Sequence, residues 1–248
     1  MKKKLLYFLG VLLLVNCSKQ ENNGRILIVT SNQHTYGSSK INASNHFAEI
    51  VVAYDIFVNN NFSVDVISPK GGAIPIGYIS TSDSIQKKYI YNSEFMNVLK
   101  NTKKPSDINP SDYVSIYYSG GGAAMFGVAE NTEIKNIAEQ IYNQNGIISA
   151  VCHGTAGIVN LKDKHGNPLY QNKRISGYPD LFENKGATYY KTFPFSIEKK
   201  IKENKGNFLY SDQRQDNFYV IDENFITGQD PSSTKSVAQQ VVNILTNK

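Results

Sequence analysis

The chain has 248 residues and a formal net charge of +5, and 40% of its residues are hydrophobic while 19% are charged. This length suits one large α/β domain and is short for two independent domains. The basic residues are scattered and form no cluster interleaved with aromatic side chains. A nucleic-acid-binding protein usually has such a cluster. We therefore expect no nucleic-acid partner.

The N-terminus has the pattern of an export signal. Lys2 to Lys4 form a basic region, and the apolar run from Leu5 to Val15 is shorter than the roughly 20 residues that span a bilayer as a helix. The stretch 14–17 resembles a lipobox, in which Cys17 is the site of lipid attachment. We expect residues 1–16 to be a lipoprotein-type signal peptide, residues 17–24 a tether and residues 25–248 one domain. A plain secretory signal, which would leave a periplasmic or secreted protein, is the alternative.

The hydrophobic periodicity and the turn residues predict alternating strands and helices along the domain. The strands are expected in stretches 24–32, 62–67, 113–118, 147–151 and 173–178, and in a hairpin over 217–230. Helices are expected over 46–60, 93–101, 131–146, 154–162, 192–206 and 232–248. This alternation implies right-handed crossovers and a mostly parallel sheet in an α/β sandwich.

Cys152 lies at the predicted carboxyl end of the strand 147–151 and is followed by His153 and Gly154. Ligands of parallel sheets bind outside this end of the strands, and a nucleophile at a sharp strand-to-helix turn is a nucleophile elbow. The following helix would lower the pKa of the thiol and favour the thiolate. The alternative is a buried structural thiol, since free Cys is among the most buried residue types.

Two further segments should reach the same edge of the sheet. Glu49 falls in the first turns of the helix 46–60, where a protonated carboxyl could hydrogen-bond the thiolate; the alternative is a polar residue of an amphipathic helix. Gly121 and Gly122 follow the strand 113–118, and we expect them to bind substrate. The N–H groups of Gly121 and His153 are candidates for an oxyanion hole.

Four blocks occur in the order "AEIVVAYDIF…VDVISPKGG", "YYSGGGAAMFG", "AVCHGTAGIVNLK" and "NFITGQDPSSTKSVA". Together they resemble the ThiJ/PfpI superfamily, which is related to class I glutamine amidotransferases, and in particular its chaperone-like, glutathione-independent glyoxalase branch. The resemblance covers residues 25–245 and implies a flavodoxin-like three-layer sandwich with a nucleophile elbow. It also implies that Cys152, His153 and Glu49 are catalytic, together with an acid after a Gly-aromatic pair. By spacing that acid is Glu183, with Asp180 as the alternative.

The resemblance implies a cysteine-dependent enzyme that converts small aldehydes, such as methylglyoxal to lactate, without a cofactor. Such a glyoxalase III-type enzyme is a lyase of the hydro-lyase type. A hydrolase is the alternative enzyme class, and protein deglycation would be a related activity. The alternatives are a holdase chaperone, an oxidative-stress sensor and a cysteine amidase or peptidase. We expect a homodimer.

The sequence offers no H-x-x-x-H or C-x-x-C spacing, so we expect no metal ion. The alternative is a metal site that His34, His46 and acidic residues form in three dimensions.

The signal sequence yields the first testable prediction. The lipid chains of a processed Cys17 should hold the domain on the cell membrane or the outer membrane, because more than one acyl chain gives a stable anchor. The wild type should therefore fractionate with membranes, and Cys17→Ser should release the protein or leave an unprocessed precursor. Equal solubility of the two proteins after export would contradict the anchor.

Overall fold

The computed structural model describes residues 22–247, so the predicted signal peptide and Cys17 lie outside the described part of the chain. The described strands are β1 (Arg25–Val29), β2 (Asn45–His46), β3 (Ser63–Ile67), β4 (Ile76–Gly77), β5 (Ser115–Tyr118), β6 (Ile147–Val151), β7 (Arg174–Ile175), β8 (Asn207–Phe208), β9 (Tyr219–Asp222) and β10 (Phe225–Gly228). The α-helices are α1 (Phe47–Asn59), α2 (Ser84–Ile90), α3 (Ser93–Lys100), α4 (Thr132–Asn143), α5 (Ile197–Glu203) and α6 (Thr234–Thr246). Short 3₁₀ helices span Pro105–Asp107, Pro110–Asp112, Gly122–Met125, Cys152–Ile158, Tyr190–Thr192 and Pro231–Ser233.

The central sheet has six strands in the order β3–β1–β5–β6–β10–β9. Every neighbouring pair is parallel except β10–β9, which is an antiparallel hairpin that turns at Glu223 and Asn224. The prediction of a mostly parallel sheet is therefore confirmed. The parallel register brings the carboxyl ends of β5 and β6 side by side, with Tyr118 opposite Ala150.

Helices cover both faces of this sheet and form two apolar cores. On β1, Leu27 and Val29 pack in the core that contains α4, whereas Ile26 and Ile28 pack in the core that contains α1 and α6. Successive strand residues point to opposite faces, so an almost continuous apolar strand such as β1 requires cover on both sides. This arrangement is the expected three-layer sandwich.

Most predicted elements are present, but the segment after Cys152 differs from the prediction. We expected an α-helix over 154–162, and the structure has a 3₁₀ helix of seven residues, Cys152–Ile158. Gly154 and Gly157 lower α-helix propensity. They are needed here because a Cβ on Gly154 would lie 2.3 Å from the carbonyl oxygen of Tyr118 and one on Gly157 would lie 2.3 Å from its ring.

Two smaller differences concern short elements. The predicted strand 173–178 contains only the two-residue strand β7, and α2 was not predicted. No helix of residues 22–247 is both long enough and apolar enough to cross a lipid bilayer.

Packing in the middle of the sheet yields a stability prediction. Leu27 is fully buried on β1, so Leu27→Ala should lower the free energy of unfolding by roughly 2–5 kcal/mol through lost burial and the cavity that remains. Leu181→Ala is the matched control, because Leu181 is 57% exposed and its truncation should change that free energy by less than about 0.5 kcal/mol. Denaturant unfolding of the three proteins measures both values. Equal losses in the two variants would contradict the assigned core.

Candidate active site

Cys152 occupies the turn between β6 and the 3₁₀ helix in a left-handed backbone conformation, with φ 59°. This region is unfavourable for a residue with a Cβ, and such strain is concentrated at functional sites. The carbonyl oxygen of Cys152 accepts a hydrogen bond of 3.2 Å from the N–H of Tyr178. The side chain is 4% exposed at the carboxyl ends of the strands. The predicted nucleophile elbow is therefore present in its backbone geometry.

His153 lies between Cys152 and Glu183. The distance from Cys152 Sγ to His153 Nδ1 is 3.5 Å, and the distance from His153 Nε2 to Glu183 Oε1 is 2.7 Å. Tyr178 stacks on the imidazole, with ring centroids 4.5 Å apart. The ring is thus fixed with one nitrogen toward the sulfur and the other toward a carboxylate, which is the arrangement of a general base with an orienting acid.

The structure distinguishes between the two acids proposed to orient His153. Glu183 contacts the imidazole, whereas Asp180 accepts a hydrogen bond of 2.6 Å from Ser196 Oγ and forms an ion pair with Lys185. Asp180 therefore helps to hold the loop, and Glu183 has the position expected of the third group.

Glu49 is the third residue of α1, and its side chain is fully buried. Its Oε2 accepts a hydrogen bond of 2.6 Å from the N–H of Gly120. Burial raises the pKa of Glu49 from 4.5 to about 8, and the Gly120 N–H and the Cys152 thiol act in the opposite direction. Glu49 therefore carries a proton at neutral pH and can serve as a hydrogen-bond donor beside the sulfur.

The expectation of a lowered thiol pKa is wrong. Burial raises the pKa of Cys152 well above its ordinary value, and a negative charge on Glu49 would raise it further, while the N–H groups of His153 and Gly121 act in the opposite direction. The physical reason is that burial of the sulfur outweighs the stabilisation of the thiolate by these two N–H groups. Cys152 therefore rests as a thiol that needs a base to activate it.

A cavity of about 180 Å³ opens beside the sulfur and is lined by His46, Tyr78, Gly121, Cys152, His153, Tyr178 and Pro231. Gly121 has φ 95° and directs its N–H to the sulfur, as His153 does, so these two donors lie where an oxyanion could form. Gly122 does not line this cavity; a Cβ there would lie 2.1 Å from the hydroxyl of Tyr36. Its predicted contact with substrate therefore has no support in this geometry.

A larger cavity of about 470 Å³ lies at the amino ends of the strands, between Asn23, Val114 and Gly146. Its lining contains no Cys, His or acidic residue. The smaller cavity is therefore the candidate site, because it alone of these two combines a nucleophile with a base.

Sequence reasoning missed two groups of residues at this site. His46 was considered only as a possible metal ligand, and the structure stacks it on Tyr78 with ring centroids 4.7 Å apart. Arg214 donates hydrogen bonds to the Tyr178 hydroxyl and to the carbonyl oxygen of Phe182, and so holds the loop that carries Glu183. The Gly-Tyr pair before Glu183 was a signal for Tyr178, but nothing in the sequence pointed to Arg214.

The alternative metal site has no support among the described residues. Across 22–247, no group of three His, Cys, Asp or Glu side chains is arranged to hold a metal ion. His46 instead faces Glu49, with 4.0 Å between Nδ1 and Oε1.

Comparison with known proteins identifies the family of the chain. Residues 44–244 match the DJ-1/PfpI family. The chain belongs to the DJ-1/PfpI family. This family is the ThiJ/PfpI superfamily that the four sequence blocks resemble, so the predicted membership is confirmed.

Among related proteins are Glyoxalase 3 of Candida albicans and a glutathione-independent glyoxalase of Schizosaccharomyces pombe. The first is 30% identical over 226 residues, which cover 88% of this chain and 96% of that protein. The second is 27% identical over 236 residues, which cover 89% of this chain and 96% of that protein. Proteins that carry the glyoxalase name therefore match nearly the whole chain.

Solved structures show the same fold. The crystal structure of glyoxalase III from Candida albicans has a TM-score of 0.81 and 25% identity, and the alignment covers 90% of this chain and 97% of that one. The structure of Rapid Encystment Protein 24 KDa of Francisella tularensis has a TM-score of 0.83 and 27% identity, and the alignment covers 90% of this chain and 99% of that one. Together with the two related sequences, the glyoxalase III structure supports the interpretation of this chain as an enzyme of the glutathione-independent glyoxalase type.

The buried carboxyl of Glu49 yields a pH prediction. Its folded pKa is raised from 4.5 to about 8, so its stabilising contribution is complete below pH 4.5 and is lost as pH rises through about 8. Glu49→Gln keeps an oxygen that can accept from Gly120 N–H but removes the titration. The free energy of unfolding of the wild type should therefore fall relative to that of Glu49→Gln between pH 5 and pH 8.

Denaturant unfolding at several pH values tests this expectation. Glu130→Gln is the control, because Glu130 is exposed and its replacement should leave the pH dependence of the wild type unchanged. If Glu49→Gln and the wild type had parallel pH profiles, Glu49 would titrate alike in the folded and unfolded states, and its assignment as a protonated buried group would be wrong.

Proposed function

We propose that this protein converts methylglyoxal and similar small 2-oxoaldehydes to 2-hydroxy acids without glutathione, through a covalent intermediate on Cys152. The observation that carries the proposal is the Cys152–His153–Glu183 arrangement beside the protonated Glu49, within a cavity of about 180 Å³. This cavity is smaller than the roughly 300–1,000 Å³ of drug-sized ligand sites, which favours a small substrate.

In the first step, Cys152 Sγ forms a bond to the aldehyde carbon C1. The thiol proton passes to His153 Nδ1, and the Glu183 carboxylate stabilises the imidazolium at Nε2. The oxygen on C1 becomes negative near the N–H groups of Gly121 and His153, and then takes the proton from His153. The product is a neutral hemithioacetal, and His153 is again a free base.

In the second step, His153 removes the hydrogen of C1 as a proton, and Glu49 donates its proton to the oxygen on C2. The resulting enediol is converted when His153 returns a proton to C2 and Glu49 takes the proton from the oxygen on C1. The product is a 2-hydroxy thioester of Cys152. No electron leaves the site, because C1 is oxidised while C2 is reduced.

In the last step, water adds to the thioester carbonyl with His153 as the base, and the carbon–sulfur bond breaks. The Cys152 thiol regains a proton and the 2-hydroxy acid is released. The sum is methylglyoxal plus water to lactic acid, so these steps require no redox cofactor.

Protein deglycation is a related proposal. In it, Cys152 forms the same kind of hemithioacetal with the carbonyl-derived carbon of an adduct on a protein side chain. We also propose that the domain acts outside the cytosol, held by a lipid anchor at Cys17, and that it assembles as a homodimer. The anchor proposal is supported by the pattern of residues 2–17.

An assay of lactate formation tests the function. The purified full chain should form lactate from methylglyoxal in the absence of glutathione, and Cys152→Ala should reduce the rate by at least about 10³-fold, because the covalent route is lost. Cys17→Ser is the matched control, since it removes the other cysteine of the chain and should leave the rate unchanged.

Two outcomes would contradict the proposal. A wild type that forms no lactate but acquires peroxide-dependent sulfinate at Cys152 would instead be a redox sensor. Release of amines from amides or peptides in a Cys152-dependent manner, without lactate formation, would assign the site to acyl transfer.

A further inference from the structure

Tyr78 lines the cavity beside Cys152 in an unusual backbone conformation. Its φ is 57°, in the left-handed region that is rare for a bulky residue. Of the described residues that line this cavity, only Cys152, Tyr78 and the glycine Gly121 have a positive φ. Such strain persists where the surrounding structure fixes it, and it is concentrated at functional sites. The conformation of Tyr78 therefore calls for an explanation in terms of the site.

The backbone before Tyr78 is fixed by the short parallel pairing of β2 with β4. His46 lies opposite Gly77 in this register. A Cβ on Gly77 would lie 2.3 Å from Ser44 Oγ, so the two segments are in close contact. The chain therefore has little freedom up to the residue directly before Tyr78.

Two further contacts hold the ring of Tyr78 itself. It stacks on the imidazole of His46, with 4.7 Å between ring centroids and an interplanar angle of 5°. Burial raises the pKa of the Tyr36 hydroxyl, and the hydroxyl of Tyr78 beside it raises this pKa further. The backbone turn, one face of the ring and its hydroxyl end are thus all held, so the ring is a fixed wall of the cavity.

The exposure of Tyr78 places this wall between the cavity and solvent. Tyr78 is 55% exposed although its ring is held, whereas Cys152 is 4% exposed. A second imidazole–tyrosine pair lines the same cavity, in which Tyr178 stacks on His153. Tyr178 is the less exposed of the two tyrosines. Tyr78 therefore stands at the entrance, where a substrate passes from solvent to the sulfur.

Tyr91 shows the properties of an exposed tyrosine outside the site. It is 75% exposed, its φ is −96°, and it does not line the cavity. Exposure of a tyrosine in this fold therefore requires neither a left-handed backbone nor a stacked imidazole. Both features of Tyr78 belong to its position at the entrance.

We propose that Tyr78 is a specificity-determining residue, whose fixed ring narrows the entrance to Cys152 and selects aldehydes with a substituent the size of a methyl group. Methylglyoxal carries a methyl group on its keto carbon, whereas phenylglyoxal carries a planar six-membered ring there. The larger substituent has to enter space that the ring of Tyr78 occupies. Discrimination by a clash with the wrong substrate is a common route to specificity. The inference names the substrate class of the proposed function and rests on that function for its substrates.

Alkylation of Cys152 measures the width of the entrance without turnover. In the full chain with Cys17→Ser, Cys152 is the single cysteine, because the chain has two. The rate with N-phenylmaleimide is divided by the rate with N-methylmaleimide, so that a general change in thiol reactivity cancels. Tyr78→Ala should raise this ratio by at least about tenfold, since one methylene in a pocket already changes discrimination by roughly 10-fold or more. Tyr78→Phe keeps the ring and should keep the low ratio, and Tyr91→Ala is the matched control.

Turnover of two 2-oxoaldehydes tests the same selection in the proposed reaction. The kcat/KM for mandelate formation from phenylglyoxal is divided by that for lactate formation from methylglyoxal. Tyr78→Ala should raise this second ratio by at least about tenfold as well, and Tyr91→Ala should leave it unchanged.

Each outcome supports or overturns the selection by Tyr78. An unchanged maleimide ratio in Tyr78→Ala overturns it, as does an equal rise in Tyr91→Ala, which would show general loosening. A raised maleimide ratio with an unchanged kcat/KM ratio also overturns it, because the ring would then select maleimides but no substrate.

A second variant and a second comparison keep these outcomes distinct. Tyr78→Gly replaces Tyr78→Ala if the latter does not fold, as judged by circular dichroism, because glycine adopts a positive φ without strain. A raised maleimide ratio in a protein that forms neither lactate nor mandelate would retain the narrow entrance and remove the proposed function. Lactate formation with an unchanged maleimide ratio would do the opposite.

Discussion

The left-handed backbone of Cys152 is the constraint on which the arrangement of the site depends. A φ of 59° turns the chain sharply at the end of β6, so that the sulfur lies over the edge of the sheet and His153 can approach it despite being the next residue. A non-glycine residue in this conformation costs roughly 1–3 kcal/mol. The surrounding packing opposes relaxation, because Gly154 lies directly against the backbone of Tyr118.

The second determinant is a carboxyl that the fold removes completely from water. Glu49 receives one backbone hydrogen bond from Gly120, which is not enough to stabilise its charge at neutral pH. Glu49 is therefore an acid beside the thiol of Cys152, and His153 is the base beside the same thiol. A protonated carboxyl and an imidazole around one sulfur provide an acid and a base at the same pH.

Much of this organisation could be predicted from the sequence, because it depends on local patterns. Strand β6 is a buried run of apolar and small residues that ends directly before Cys152, and α1 has helical spacing of its apolar residues, so both elements and the positions of Cys152 and Glu49 followed directly. The α-helix expected after Cys152 was wrong, since close contact of two glycines with Tyr118 outweighs local spacing there. Gly122 was likewise assigned to substrate, although its space is taken by Tyr36.

The sequence by itself determined the alternation of strands and helices, the elbow and the family, because these are properties of residue order and periodicity. Only the tertiary structure decided the protonation of the site and the choice of Glu183 over Asp180. Electrostatic effects depend on burial and on partners distant along the chain, such as the 2.7 Å contact of Glu183 with His153. For the same reason the thiol pKa expected from a helix terminus had the wrong direction, and the proximity of His46 to Glu49 became visible only in three dimensions.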